Sequence, residues 1–263
     1  MNADAILAAD RRRRRRKGLT ALAGVGAVAV CLAITGFFDG ARLAGGVPAI
    51  GTLLSEMVPP DFSRWRAWIW PLVETLAMSV AGTALALAAA VPLGLLAARD
   101  TAPGTITYGT ARLILNVLRA LPELILGIVF VAAVGFGMLP GVLALGLHSI
   151  GMLGKFLAEA VEHADTGPIE AVQAAGAAPL QVVSHGIMPQ VFPRLVDMSI
   201  YRWEYNFRAS TVMGMVGAGG IGTDLIGALR ILDYAQVSAL LLVVLAAVTV
   251  VDAIGAGIRR RLR

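Results

Sequence analysis

Long apolar runs alternate with short polar connections along most of the chain. A helix crosses a bilayer with about 20 apolar residues, and runs close to that length recur throughout the sequence. Their positions predict spans at about 18–38, 75–98, 113–136, 141–157, 193–216 and 235–254. The fifth run carries many charges, so hydropathy alone ranks it lowest. The pattern predicts an all-α, polytopic membrane protein with about six transmembrane helices.

The composition agrees with a membrane environment. Of the 263 residues, 57% are hydrophobic and 15% are charged, whereas about a quarter of the residues in a soluble domain are charged. The mean hydropathy is +0.77. One cysteine, Cys31, excludes a disulfide framework within one chain, and the three histidines lack metal-ligand spacing, so no metal site is predicted.

The cations gather at the two ends of the chain. A run of arginines and one lysine occupies 11–17, and a second arginine cluster occupies 259–263. Basic clusters beside apolar runs are typical of the cytoplasmic ends of membrane proteins, which favours a role in orientation over nucleic-acid binding. An even number of spans then places both termini in the cytoplasm.

The pattern divides the chain into three parts. Residues 1–70 combine the basic N-terminus, an uncleaved first span and an outer connection whose tryptophans predict an interfacial belt. Residues 71–257 form a transmembrane domain with a polar cytoplasmic loop at about 159–190, and 258–263 form a basic cytoplasmic tail. The tryptophans of the belt are Trp65, Trp68 and Trp70.

The sequence GAGGIG at 217–222 fits the glycine pattern of a dinucleotide-binding loop. Such a loop needs a preceding strand and an acid about 20 residues later, and that arrangement is not predicted here. We interpret the glycines as a hinge or gate that lets the backbone turn and neighbouring helices approach closely. Met213 and Met215 are candidate apolar plugs of this gate, with ordinary helix packing as the alternative. The hinge glycines are Gly217, Gly219, Gly220 and Gly222.

Polar side chains inside membrane helices are costly and point to function. At 100° per residue, five polar positions of the fifth span fall within about 80° of one another. Two of them, Glu204 and Arg208, form an i,i+4 pair, as do Arg119 and Glu123 of the third span, with Pro122 between them. The five positions are Asp197, Tyr201, Glu204, Arg208 and Thr211, and a polar face of the fourth span comprises His148, Lys155, Glu159 and Glu162.

These faces have two interpretations, which are salt bridges between helices and the lining of a water-filled path. Because three helices share the property, we favour a path, lined by Arg119, Glu123, Tyr201, Glu204, Arg208 and Thr211. Arginines suit an anionic cargo, since guanidinium matches phosphate and carboxylate geometry, but the accompanying acids leave the charge of the cargo open. His148 is interpreted as a hydrogen-bonded helix residue rather than a proton relay.

The polar loop contains the segment EAVQAAGAAPLQVVSHGIMPQ at 170–190. A helix-forming run meets Gly176, Pro179 follows, and a second short amphipathic run extends to Pro189. The spacing predicts two short helices at an angle, forming a compact knob outside the membrane that could dock a partner.

This segment resembles the EAA loop of ABC-importer permeases, with Glu170, Ala171, Gly176 and Pro189 at the expected spacing. It departs from that pattern at 172, 186 and 188. The sequence LRALPEL at 118–124 is similar to an element of the methionine-type permeases. The sequence YRWEYNFRASTVMGMVGAGGIG at 201–222 resembles the corresponding segment of phosphonate permeases. The resemblance covers about 70–257.

The resemblance implies a type I ABC-importer permease fold in a bacterial inner membrane. It implies a homodimer that works by alternating access with two copies of an ATPase and an extracytoplasmic binding protein. The implied cargo is phosphonate, phosphate or phosphite. Glu170, Ala171, Gly176 and Pro189 would couple the permease to the ATPase. The sequence lacks a Walker A motif, so ATP and Mg²⁺ are expected on the ATPase, with no cofactor on this chain.

Three alternatives follow from the same features. One is a related permease for methionine or another small solute. A second is an integral-membrane enzyme that uses the buried acids, and a third is a secondary transporter driven by protons through His148. Neither of the last two would need an ATPase.

Overall fold

The computed structural model describes residues 3–262, and every regular element in that range is helical. Two short 3₁₀ helices, at Trp65–Trp68 and Gly214–Val216, and a π-helix at Val182–Ile187 join the α-helices. The α-helices are α1 (Ala3–Ile34), α2 (Gly40–Glu56), α3 (Ile69–Leu96), α4 (Thr105–Ala120), α5 (Glu123–Val134), α6 (Met138–Glu162), α7 (Thr166–Ala174), α8 (Pro179–Gln181), α9 (Met188–Met213), α10 (Ile221–Arg230) and α11 (Tyr234–Leu262).

The chain up to Glu56 forms one compact unit and the chain from Met57 onward forms another. The first unit consists of α1 and α2. Its stretch Arg12–Ile34 is long and apolar enough to cross a membrane. The helix ends at Ile34, four residues before the predicted end of the first span at 38. The second helix was not predicted, because its glycines and Pro48 hid an apolar repeat with helical spacing at Leu43, Val47, Ile50 and Leu54.

The compact division falls at Glu56 and not at residue 70, because the connection after Glu56 packs on the start of α11. The Met57 carbonyl accepts a hydrogen bond from Ser238 Oγ at 2.6 Å. The backbone N–H of Asp61 donates to the Ala235 carbonyl at 3.0 Å. These two bonds attach the connection to the second unit.

The predicted aromatic belt is wrong for one of its three members. Trp68 is 1% exposed and packs among Ile221, Ala228 and Leu240, so it is a core residue. Trp65 and Trp70 are exposed, and their place in an interfacial belt stays a prediction. The local sequence did not distinguish the buried Trp68 from the exposed Trp65 and Trp70, because burial of Trp68 depends on α10 and α11.

Small residues hold α3 and α6 close together. A Cβ added at Gly94 would lie 2.9 Å from the Gly154 carbonyl oxygen, and one at Gly82 would lie 3.1 Å from Leu145 Cβ. The distance at Gly94 is shorter than real side chains allow, and the distance at Gly82 is tighter than most real contacts, so these glycines permit the close approach of the two helices. The predicted small-residue packing of the second span is confirmed.

The predicted third span is two helices and not one. The axes of α4 and α5 meet at 89°. Leu121, between them, has extended backbone angles (φ −79°, ψ 122°), as expected of a residue that precedes proline. Pro122 also lacks the N–H that a continuous helix would use. Pro122 was expected to loosen the local hydrogen bonds, and the result is a full break.

The fifth span is also bent, by 46° between the helical run Pro179–Val216 and α10. Among the described residues, four helices are long and apolar enough to cross a membrane, and the number reaches six if each bent pair is one span. The prediction of about six spans therefore holds with α4–α5 and α9–α10 counted as broken spans.

Candidate functional site

A polar cluster surrounds the break between α4 and α5. Glu123, the first residue of α5, accepts a hydrogen bond from the Tyr205 hydroxyl at 2.7 Å through Oε1. Its Oε2 lies 3.3 Å from His148 Nε2, and the other ring nitrogen of His148 lies 3.0 Å from the Leu121 carbonyl oxygen. His148 therefore joins the two sides of the break. The expectation that His148 is a hydrogen-bonded helix residue is confirmed.

Arg202 of α9 continues this cluster into the core. Its side chain is only 4% exposed. Its Nε donates to Ser149 Oγ at 2.7 Å, and its guanidinium carbon lies 4.2 Å from the centre of the Tyr205 ring. Ser149 in turn donates to Asn206 Oδ1, and Asn206 Nδ2 donates to Thr83 Oγ1 at 2.9 Å. We call Glu123, His148, Ser149, Arg202, Tyr205, Asn206 and Thr83 the buried polar network.

Two predicted ion pairs within single helices are not formed. Arg119 lies exposed in the last turn of α4 and makes no ion pair with Glu123, because the break turns α5 away. Glu204 and Arg208 do not pair with each other. Glu204 lies 2.8 Å from Arg259 Nη1, and Arg208 Nη1 lies 3.0 Å from Asp252 Oδ1.

The predicted polar face of α9 is therefore divided between two environments. Two of its three charged members, Glu204 and Arg208, form salt bridges with α11, as one of the two interpretations of the sequence predicted. Thr211 donates to its own helix, at the Arg208 carbonyl, while Tyr201 is 52% exposed. The sequence alone did not separate these cases, because all these positions share one helical face and only the neighbouring helices distinguish them.

The glycine-rich loop after α9 turns the chain as predicted. Gly217, Gly219 and Gly220 have φ of +94°, +83° and +76°, a region that favours glycine. Gly222 serves close packing instead, because a Cβ there would overlap the Thr211 carbonyl oxygen. The loop is fixed to α3, since Glu74 Oε2 accepts from the Gly220 N–H at 2.9 Å.

The two methionines near this loop differ. Met213 is fully buried, and a Cβ added at Gly127 of α5 would lie 2.8 Å from its sulfur. Met215 is 46% exposed. In this structure Met213 therefore takes part in ordinary helix packing, which was the alternative to its role as a plug. The exposed side chain of Met215 lies outside the core.

The segment at 170–190 begins with a well-capped helix. The Asp165 side chain accepts from the Gly167 N–H at the start of α7. At its end, the Gly176 N–H donates to Gln173 and the Ala177 N–H to Val172, with Gly176 at φ +81°. These two bonds form a Schellman motif, which explains why glycine stands at 176. Glu170 and Ala171 are exposed on α7.

The second predicted short helix does not end at Pro189. Pro179 to Val216 is one helical run that includes the π-helix Val182–Ile187. The Met188 N–H donates to Val183, five residues earlier, and Pro189 follows within the run. A proline is tolerated here because it stands in the first turn after the π-helix, where α-type donors are not required.

Two contacts attach α7 to the start of this run. The Gln190 side-chain oxygen accepts from the Asp165 N–H at 2.9 Å, while its Nε2 donates to the Asp165 and Gly186 carbonyls at 3.1 and 2.8 Å. Gly186 is buried, and a Cβ there would lie 3.3 Å from Ile169 Cα. Glycine at 186 departs from the EAA pattern, and here it allows α7 to pack closely.

Comparison with known proteins decides the family. The profile described as "Binding-protein-dependent transport system inner membrane component" matches residues 90–263. The chain belongs to this family. It is a multi-pass, inner-membrane permease subunit of an ABC importer, and ATP hydrolysis belongs to a separate ATPase partner.

The similar proteins include transporters for phosphorus compounds. The chain is 58% identical to the phosphite transport system permease protein PtxC of Stutzerimonas stutzeri over 90% of this chain and 86% of the relative. It is 44% identical to the phosphate-import permease protein PhnE of Mycolicibacterium smegmatis, covering 83% of this chain and 41% of that one. An inward-facing structure of the MetNI methionine ABC transporter matches with a TM-score of 0.66 and 25% identity, over 77% and 99% of the two chains.

The polar face predicted on the fourth span of the permease is also resolved into separate pairs. Glu162 binds Arg112 of α4 in a bidentate pair at 2.8 and 2.9 Å. Lys155 lies 3.7 Å from Glu159 on the same helix. These contacts are salt bridges, and His148 alone of this face reaches the buried polar network.

A second polar face of α9 was not predicted. Arg202, Tyr205 and Asn206 share spacings of three and four residues and are mostly buried, and they lie beside the predicted face. This spacing is visible in the sequence, but the adjacent face contains more charges and gives the stronger signal.

Proposed function

We propose that this permease imports a small phosphorus oxyanion, phosphite or a phosphonate, with phosphate as a related cargo. The observation that carries the proposal is 58% identity, over nearly the whole chain, to a phosphite transport system permease. The arginine of the buried polar network agrees with an anionic cargo, since guanidinium matches oxyanion geometry.

The proposed assembly is a homodimer of this chain with two copies of an ATPase and an extracytoplasmic binding protein. The ATPase holds ATP and Mg²⁺, and this chain holds no cofactor. Both termini lie in the cytoplasm. Support for this orientation comes from the basic clusters at both ends and from the even number of spans when bent pairs are counted once.

In the proposed mechanism, α7 docks on the ATPase through the exposed Glu170 and Ala171. Closure of the ATPase on ATP displaces α7. Because Gln190 and the close contact at Gly186 attach α7 to the run that becomes α9, the displacement moves α9. Alternating access follows if the two states of α9 differ in which side of the membrane they open.

The proposed path follows α9 and the break between α4 and α5. Arg119 at the end of α4 and Tyr201 on α9 are exposed, and Glu123 at the start of α5 belongs to the buried polar network. Glu204, Arg208 and Thr211 were predicted path residues, and their contacts with α11 and with their own helix favour a structural role. The glycine-rich loop, held by Glu74, is the proposed outer hinge.

A methionine permease is the second candidate, favoured by the structural similarity to MetNI. The test is ligand binding by the partner binding protein, followed by uptake into proteoliposomes that contain the complete complex. We expect saturable binding and ATP-dependent uptake of phosphite or methylphosphonate. Tight binding of methionine with no binding of either phosphorus compound would replace the proposal with the alternative. Uptake that persists without the ATPase would contradict both.

A further inference from the structure

Among the described arginines of the membrane helices, Arg202 is the one whose charge is deeply buried, and it forms no ion pair with any described carboxylate. It lies near the middle of α9 (Met188–Met213). Glu123 acts on the Arg202 charge from a distance longer than an ion pair, and its carboxylate already accepts a hydrogen bond from Tyr205 and faces His148. A buried guanidinium without a carboxylate in direct contact is costly in a membrane protein, so its retention needs a reason.

The terminal nitrogens of Arg202 provide that reason. The Nε donates to Ser149, which fixes the side chain. Neither terminal nitrogen donates a hydrogen bond to a residue that the structure describes, and Nη2 is fully buried. The fork of the guanidinium, which binds two oxygens of one anion, is therefore held in place and unused.

Arginines elsewhere in the described membrane helices show the contrast. Arg112 Nη2 donates to both carboxylate oxygens of Glu162, and Arg208 Nη1 donates to Asp252. These two arginines are partly exposed, and each has a carboxylate in direct contact. Arg202 has the deeper burial and the incomplete set of partners, the opposite of what a purely structural arginine requires.

We propose that the terminal nitrogens of Arg202 bind the oxyanion of the cargo during translocation, with Tyr205 as their cover in the state seen here. The proposal rests on the proposed import of a phosphorus oxyanion. Tyr205 stacks on the guanidinium and is held by Glu123 through its hydroxyl. Tyr201, the preceding residue on α9, is 52% exposed. A movement of α9 relative to α5 would break the Tyr205–Glu123 bond and uncover the fork.

The test uses the complete complex of permease, ATPase and binding protein in proteoliposomes, with radiolabelled phosphite as the probe. Arg202→Gln removes the charge and the fork, and Arg202→Lys keeps the charge without the fork. Arg230→Gln is the matched control, because Arg230 is exposed in the last turn of α10 and makes no ion pair with a described residue. Phosphite uptake and the ATP hydrolysis stimulated by the binding protein are measured side by side.

We expect Arg202→Gln to assemble, to keep stimulated ATP hydrolysis within about twofold of the unmodified complex, and to lose phosphite uptake by about 10- to 100-fold, as for a lost charged hydrogen bond. Phosphite uptake by Arg202→Lys should lie between that of the unmodified complex and that of Arg202→Gln. Uptake near normal in both variants would overturn the assignment. An equal loss of assembly, stimulated hydrolysis and uptake in both variants would also overturn it, by showing a structural role. If the unmodified complex imports no phosphite, methylphosphonate or phosphate, the proposed function fails, and the Arg202 proposal, which rests on it, fails with it.

Discussion

Gln190 offers a direct test of how motion passes from α7 to the membrane. Its side chain makes two hydrogen bonds to the Asp165 backbone that join the start of α7 to the helical run leading into α9. Since these bonds are exposed, each contributes about 0.5 kcal/mol, the lower end of the usual range. Gln190→Leu, which removes both, should therefore weaken the attachment of α7 by ~1 kcal/mol. That energy corresponds to about a fivefold rise in the detached population.

The assay for this prediction is hydrogen exchange of the α7 backbone amides in the purified complex, combined with cargo uptake per ATP hydrolysed in proteoliposomes. We expect about fivefold faster exchange in α7 and a lower uptake per ATP, with assembly unchanged. Gln181→Leu is the control, because the side chain of Gln181 bonds only to the Ala178 N–H within its own turn. Unchanged exchange and unchanged uptake per ATP in Gln190→Leu would refute the coupling argument.

Two further substitutions test local geometry. Gly176→Val should weaken α7 by about 1 to 2 kcal/mol and lower uptake, because the left-handed φ of +81° excludes a branched side chain. Gly176→Asn should lower uptake less, because asparagine tolerates this φ. Equal effects of the two substitutions on uptake would contradict the backbone argument. Gly255→Leu should place atoms where Glu204 reaches Arg259 and lower stability by on the order of 2 kcal/mol, seen as earlier thermal unfolding in detergent. Gly257→Leu, at an open position of the same helix, should not lower the unfolding temperature, because leucine favours the helix more than glycine does.

Local sequence signals predicted the parts of this fold that local physics decides. The apolar runs located the membrane helices, and the position of Gly176 located the end of α7. Pro122 was expected only to loosen the hydrogen bonds of one continuous third span, so neither the break nor its 89° angle was predicted. That angle depends on α6, because His148 contacts both the Leu121 carbonyl and the Glu123 carboxylate across the break.

Ion pairs show why the candidate site was harder to predict than the fold. Glu204 and Arg208 are four residues apart, which suggested that they pair with each other. Asp252 and Arg259 are seven residues apart on α11. They carry the charges that complement Arg208 and Glu204, and along the chain they come in the reverse order to those two partners. Two antiparallel helices therefore satisfy all four groups at once, and they do so across the interface. Nothing in the local sequence chooses between the two pairings; the packing of α11 on α9 does.

The same packing bears on the cargo. Along the side of α9 that meets α11, Arg208 and Glu204 are matched by ions of opposite charge. On the buried side, the guanidinium of Arg202 meets a hydroxyl and an aromatic ring, and the nearest acid is occupied by a tyrosine and a histidine. Glu204 is nearly as buried as Arg202, so the difference between the two sides of α9 is contact and not burial. Glu204 and Arg208 each touch an ion of opposite charge, and Arg202 does not, which leaves an unmet electrostatic demand at its guanidinium. An anion that passes along α9 would meet that demand, whereas a neutral or cationic cargo would not.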